Sequence, residues 1–186
     1  EFTSNIISQT DRMFNLIKKL LDHNAIEQGN IKINNSIFGI EELCSELVNN
    51  FKDEAAKKEI RIVYKDSSGN TKLHCDREIL YEILQNLLSN AIKFSPKQSS
   101  IHLKTRPENG HLKIEVKDEG PGFTEEDKEK IFTKFTRLSA KPTGNEHSTG
   151  LGLSIVKRLC GIIGAEILLE SSEGKGAEFI LTIGIV

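Results

Sequence analysis

Asn86, Asn90 and Lys93 fall at i, i+4 and i+7, a spacing that puts them on one face of a helix. The apolar stripe of the same segment, Leu80, Ile83, Leu84, Leu87, Leu88 and Ala91, is centred roughly 120° away at 100° per residue. The polar row therefore borders the core, with Glu82 one turn earlier. Amide oxygens are hard ligands of the kind Mg²⁺ takes, a few at a time, beside phosphate and water. A neighbouring ammonium meets phosphate as a point charge. A solvated helix face would read the same way.

A second group, Asp118-Glu119-Gly120-Pro121-Gly122, follows a segment in which Leu112, Ile114 and Val116 alternate. Asp118 has the parity of those inward residues, and a buried carboxylate is costly unless something bonds to it. The exocyclic amine of adenine is one such donor, and Gly120 and Gly122 leave room for a flat ligand against the backbone. The same string also makes an ordinary turn. The third group is Ser148-Thr149-Gly150-Leu151-Gly152-Leu153, where a polar loop gives way to a helix. Its unpaired N–H groups and positive dipole end suit phosphate, although a plain hinge fits too. The last is Gly174-Lys175-Gly176, equally a hairpin turn.

The elements that must position these residues follow from periodicity. Residues 4–28 predict one helix, with Ile6, Met13 and Leu20 on a stripe widened by Ile7, Phe14 and Leu21, and Gly29 stopping it. Ile31 and Ile33 predict a short strand, and Ile40, Leu43, Cys44, Leu47, Val48 and Phe51 one helix face. Ile60, Ile62 and Tyr64 alternate as a strand, closed by the turn Ser67-Ser68-Gly69-Asn70. Asp76 is the expected N-cap of a helix running to Phe94 and stopped by Pro96. Strands are expected near 100–106 and 111–118, around the turn Pro107-Glu108-Asn109-Gly110. A short acidic helix over 124–131, a polar stretch from about Thr136 to Thr149, a helix from near Gly150 and strands over 165–170 and 177–183 complete the chain. Hairpins dominate the second half, which predicts an α+β two-layer sandwich: a mixed, mostly antiparallel sheet with helices on one face.

Composition sets the outer limits. The 186 residues hold 25 basic and 27 acidic side chains, a net charge of −2, so no overall basic field points to nucleic acid or a membrane surface. No apolar run reaches the ~20 residues of a membrane helix. Cys44, Cys75 and Cys160 are odd in number and far apart, which predicts reduced packing residues in a cytoplasmic compartment. The five histidines form no metal-ligand cluster.

Each group alone is modest, but their order resembles the ATP-binding catalytic domain of sensor histidine kinases, within the GHKL superfamily that includes gyrase and MutL. The N box looks like Asn86 through Pro96, the first glycine box like Asp118 to Gly122, and the F box like Phe132-Thr133-Lys134-Phe135. Thr149 to Leu153 resembles the second glycine box, and Gly174-Lys175-Gly176 the terminal one. The resemblance covers about residues 31–186. It implies that Asn90, with Asn86, binds Mg²⁺, and that Lys93 meets phosphate. Asp118 would bind adenine, flanked by Gly120, Gly122, Phe135, Thr149, Gly150, Leu151, Gly152 and Leu153. A mobile lid is implied between about Thr124 and Thr149. Ala177 departs from the Ser or Thr that commonly follows the terminal box.

The same resemblance assigns residues 1–29, ending Leu20-Leu21-Asp22 … Glu27-Gln28-Gly29, to the second helix of a dimerisation hairpin, and 30–186 to the catalytic domain. It places the acceptor histidine upstream of Glu1. It implies a homodimer in the full-length parent, a response-regulator receiver domain as partner, and a cytoplasmic location, with membrane anchoring of the parent left open. The activity implied is transfer of the γ-phosphoryl group of Mg-ATP to histidine. Two other readings are an ATP-sensing module without transfer and a serine kinase of the anti-sigma type. Hydrolysing members of the superfamily carry a glutamate where Asn86 stands, which favours kinase over ATPase, since an amide takes no proton from water.

Overall fold

The computed structural model describes residues 32–133, 136, 138–140, 142–143 and 150–186. The helix expected over residues 4–28 lies outside them, as do Phe135 and Thr149. Asn34–Val186 forms one compact unit.

Strand β1 (Asn35–Gly39) leads into helix α1 (Ile40–Lys57), which buries Ile40, Leu43, Cys44, Leu47, Phe51 and Ala55 along one stripe. Strands β2 (Arg61–Asp66) and β3 (Lys72–Asp76) precede helix α2 (Arg77–Phe94). Strands β4 (Ser100–Glu108) and β5 (His111–Lys117), helix α3 (Glu125–Lys130), helix α4 (Gly152–Ile162), and strands β6 (Glu166–Ser171) and β7 (Ala177–Gly184) follow. Five strands form one sheet in the order β2-β4-β5-β7-β6. Only β2 and β4 run parallel, with Ile62 opposite Ile101; the other pairs are antiparallel. Ile101, Leu103, Leu112, Ile114, Val116, Phe179, Leu181 and Ile183 are buried on the face that carries the helices. Helix α1 packs on β2, α2 on β5 and α4 on β6, with α2 between the other two helices. The opposite face is polar, laced by Arg106–Glu115 at 2.9 Å and Lys117–Glu178 at 3.0 Å. This is the expected α+β sandwich, and all three cysteines are free and buried.

Four boundaries differ from the periodicity. The first strand among the described residues is Asn35–Gly39; of the expected Ile31–Ile33 segment, Ile33 lies outside any strand and Ile31 outside the described residues. Strand β1 pairs with Lys72–Asp76 in a separate two-stranded sheet; that partner alternates, with Leu73 and Cys75 buried, but over only five residues, which the sequence reading passed over. β4 runs through Pro107 to Glu108. The ladder to β2 has ended at Thr105, so the missing proline N–H costs no strand bond. The turn is then only Asn109-Gly110, both with positive φ, 52° and 76°, the conformation a tight two-residue hairpin requires. Helix α4 begins at Gly152, two residues later than expected.

Asp76 caps α2 as anticipated. Its Oδ1 accepts from Glu78 N at 3.0 Å and Ile79 N at 3.1 Å, while Oδ2 accepts from Asn34 N at 2.7 Å. One buried carboxylate thus fixes both the start of α2 and the chain entering β1. Asp76→Ala is expected to cost about 1–3 kcal/mol, one cap plus a charged hydrogen bond, read as a lower urea midpoint with an unchanged m-value.

Candidate nucleotide-binding site

Strand β5 delivers Asp118 to the edge of the core. The carboxylate is 8% exposed, and its Oδ1 accepts from Gly120 N at 2.8 Å and Ala177 N at 3.2 Å. Asp118 N in turn donates to Ala177 O at 2.8 Å. Both donors reach Oδ1, so Oδ2 is the oxygen available to a ligand's N–H. Burial pushes the carboxyl above the usual carboxylate range, and the Gly120 and Ala177 N–H groups pull against it without cancelling it. A ligand donor at Oδ2 would favour the ionised form.

The glycines here are steric requirements. A Cβ on Gly176 (φ 77°) would sit 2.1 Å from Asp118 O, and one on Gly122 (φ 68°) 2.1 Å from Ser172 O. The first and terminal boxes thus interlock backbone to backbone, a fit that also includes Gly174 N donating to Pro121 O at 2.7 Å. Ser171 closes the same corner, donating from Oγ to Gly176 O at 2.6 Å and accepting from Phe123 N at 3.0 Å. Ser171 escaped the sequence reading because its role depends on a register between loops 48 residues apart.

Helix α2 supplies the wall. At its C-terminal end, a Cβ on Gly120 would meet Phe94 O at 3.2 Å. Two turns back, a Cβ on Gly152 would lie 3.3 Å from Asn86 Oδ1 and 3.7 Å from Asn90 Nδ2. The Asp118 loop and the start of α4 therefore approach the same helix, the first at Phe94 and the second at Asn86 and Asn90. Asn86 Nδ2 donates to Glu82 O at 2.9 Å, which turns Oδ1 towards Gly152. Lys93 Nζ lies 5.8 Å from the Phe94 ring centroid. Among the described residues no side chain caps the first turn of α4, Leu151 preceding it is buried, and Gly150 has φ 68°. A helix start left uncapped beside two amides is suited to an anion and its metal ion. Leu153, one residue on, is half-buried.

On the far side, Thr124 and Asp127 form a capping box at α3. Asp127 also accepts from Ser139 N at 3.0 Å and from Ser139 Oγ. Burial pushes this carboxyl up, but the bonds from Ser139 and Thr124 outweigh it and hold it below the usual range. Lys58 and Thr143, which the sequence reading did not single out, both reach the end of α2.

Residues 75–185 match the family of histidine kinase-, DNA gyrase B- and HSP90-like ATPases. The chain belongs to that family. It is 30% identical over 186 residues to the circadian input-output histidine kinase CikA of Synechococcus elongatus, covering 98% of this chain and 24% of CikA. Full-length ShkA in complex with AMPPNP superposes with a TM-score of 0.84 at 26% identity, over 95% of this chain and 36% of that one. The catalytic domain of histidine kinase ThkA gives a TM-score of 0.71 at 26% identity, over 81% of this chain and 95% of that one. ThkA in complex with response regulator protein TrrA shares the fold at 23% identity, TM-score 0.76, over 97% of this chain and 49% of that one. The chain thus spans about a quarter of CikA's length.

Asp118→Asn tests the electrostatics of the ATPase-family site directly. The amide keeps an oxygen for Gly120 and Ala177 but carries no charge to desolvate. Because the folded pKa is raised, ionisation costs stability above it, and the cost vanishes below the unfolded value near 3.9. Asp118→Asn is therefore expected to be at least as stable as the parent at pH 7 and to lose that advantage below about pH 4. Denaturant midpoints across pH read this.

Proposed function

We propose that this chain binds Mg-ATP and passes the γ-phosphoryl group to a histidine, in two-component signal transduction. The observation that carries the reading is the contact of Gly152, at the uncapped start of α4, with Asn86 and Asn90 on the core-bordering face of α2. Two amides and helix-end N–H groups converge where a triphosphate needs neutralising.

Mg²⁺ fits this donor set, since it takes few protein ligands and shares the rest with phosphate and water. Asn90 would hold it, with Asn86 in support; when bound, the metal neutralises charge on the phosphate oxygens. Lys93 meets phosphate, and the first N–H groups of α4 meet the same oxygens. Asp118 Oδ2 accepts from the adenine amine, while Gly120 and Gly122 leave the base free to approach the backbone. In the transfer, the histidine ring nitrogen forms the new P–N bond as the bond to the bridging oxygen breaks, and ADP leaves with that electron pair. Such a step needs positioning and charge stabilisation more than covalent help. Asn86, an amide, takes no proton from water, so hydrolysis should stay slow.

Residues 1–29 serve, in this reading, as the second helix of the dimerisation hairpin of a homodimer, and a receiver domain takes the phosphoryl group onward. ThkA, which shares this fold, is seen with response regulator protein TrrA. Among the described residues no helix is long and apolar enough to cross a membrane, and a cytoplasmic place suits the ATP substrate.

The deciding experiment supplies the chain with γ-labelled ATP and a separately expressed hairpin bearing the acceptor histidine. Acid-labile, base-stable label on that hairpin supports the kinase reading, with phosphate release slower than about 1 s⁻¹, the low end for enzymes. Nucleotide binding without label would favour a sensing module, and label on serine an anti-sigma-type kinase. Asn90→Ala is expected to abolish Mg-dependent ATP binding with an unchanged circular dichroism spectrum. Asp118→Ala should weaken ATP and ADP alike, by about ten- to over a hundredfold for the loss of a charged bond worth roughly 1.5–3 kcal/mol. Weakening of ATP alone in calorimetry would move Asp118 to the γ-phosphate end.

A further inference from the structure

Pro96 leaves a defect at the C-terminal end of α2. The carbonyl of Ile92 would normally accept from the N–H of residue 96, which proline lacks. The helix stops before residue 97 could serve Lys93. The last bond in the ladder is Ser95 N to Ala91 O at 3.0 Å. The two carbonyls beyond it belong to the turn that carries Lys93, so whatever bonds to them sets where that lysine starts.

Both carbonyls are met by Lys58. Lys58 is the C-cap of α1, followed by Glu59 with φ 60°. Its Nζ donates to Ile92 O at 2.8 Å and Lys93 O at 3.0 Å, and to Thr143 Oγ1 at 2.9 Å. An ammonium has three N–H donors, and these three acceptors are among the groups it meets. Thr143 meets the same turn: its N is 3.2 Å from Lys93 O, and its Oγ1 is 3.1 Å from Lys93 O and 2.7 Å from Ser95 O. A cation at a helix C-terminus also opposes the dipole's negative end.

We infer that Lys58 and Thr143 form a clasp that positions the last turn of α2, and with it Lys93, for the phosphates. Both side chains bond to the backbone of α2, and the inference makes them positioning residues. The clasp joins three parts of the chain far apart in sequence: the end of α1, the end of the N-box helix, and the segment between α3 and α4. The hold on Thr143 and affinity for the nucleotide should therefore rise and fall together. The inference rests on the Mg-ATP reading, but its effect on the segment does not.

The test uses the full chain with Lys58→Met, Thr143→Val, the double variant and Lys58→Arg. Calorimetry reads Mg-ATP affinity, and trypsin without nucleotide reads cleavage between α3 and α4. Each single variant should weaken Mg-ATP about three- to tenfold, the size of a terminal charge or cap, and should speed cleavage. The double variant should be no weaker than the worse single, because the clasp is one unit. Lys58→Arg, which keeps a cation and donors, should bind close to the parent. Lys58→Met that melts earlier yet binds Mg-ATP like the parent would reduce Lys58 to a helix cap and overturn the proposal. So would Thr143→Val that matches the parent in both readings. If Lys58→Met does not fold, Lys58→Arg and Thr143→Val still decide the question. A parent chain that fails to bind Mg-ATP would sink the nucleotide reading alone, with cleavage still judging the clasp.

Discussion

Helix α2 buries Ile83, Leu84, Leu87, Leu88 and Ala91 while holding Asn86, Asn90 and Lys93 at the border of the same stripe. Core packing therefore sets the rotation and height of the site residues. A helix free to turn by one residue, about 100°, would swing the amides away from Gly152. The other elements serve that constraint. Strand β5 packs beneath α2 and ends at Lys117, one residue before Asp118, and α1 and α4 flank the helix. Asp76 at one end and Lys58 with Thr143 at the other fix its length.

Burial and hydrogen bonding pull in opposite directions at Asp118. Two backbone N–H groups steady Oδ1, but burial still raises the carboxyl above its usual range. Asp118 is therefore a group whose charge is under-compensated by the protein, and a donor from a bound base would supply what is missing. Preorganised polarity of this kind costs stability in the free protein and is recovered on binding. Asp127 is the contrasting case: its bonds to Thr124 and Ser139 more than offset burial, as suits a structural carboxylate. Two acidic side chains of equal exposure, each 8%, thus differ in whether their hydrogen bonds outweigh burial.

Much of this was legible in the sequence because it rests on local rules. The i, i+4, i+7 row and its offset from the apolar stripe follow from helix geometry, and the Asp76 cap and the Pro96 stop follow from backbone hydrogen bonding. Asp118 kept the inward parity of Leu112, Ile114 and Val116 and proved buried. The ordered glycines marked where backbones or ligands approach closely. The resemblance to histidine kinase catalytic domains, carried by those same motifs, agrees with the family match over residues 75–185.

Tertiary structure alone decided which partner each residue meets. Lys72–Asp76 alternates over only five residues, with Leu73 and Cys75 buried, and its place as a strand is settled by pairing with Asn35–Gly39. Pro107 is allowed in β4 only because the neighbouring ladder has already ended. Gly122 and Gly176 are required by carbonyls of Ser172 and Asp118, which no local window contains. Ser171, Lys58 and Thr143 are unremarkable residue types whose roles arise from contacts 5 to 85 positions away. Periodicity and capping are short-range properties fixed by a few neighbouring residues. Register between loops and the filling of orphaned carbonyls are set by the packing of the whole domain.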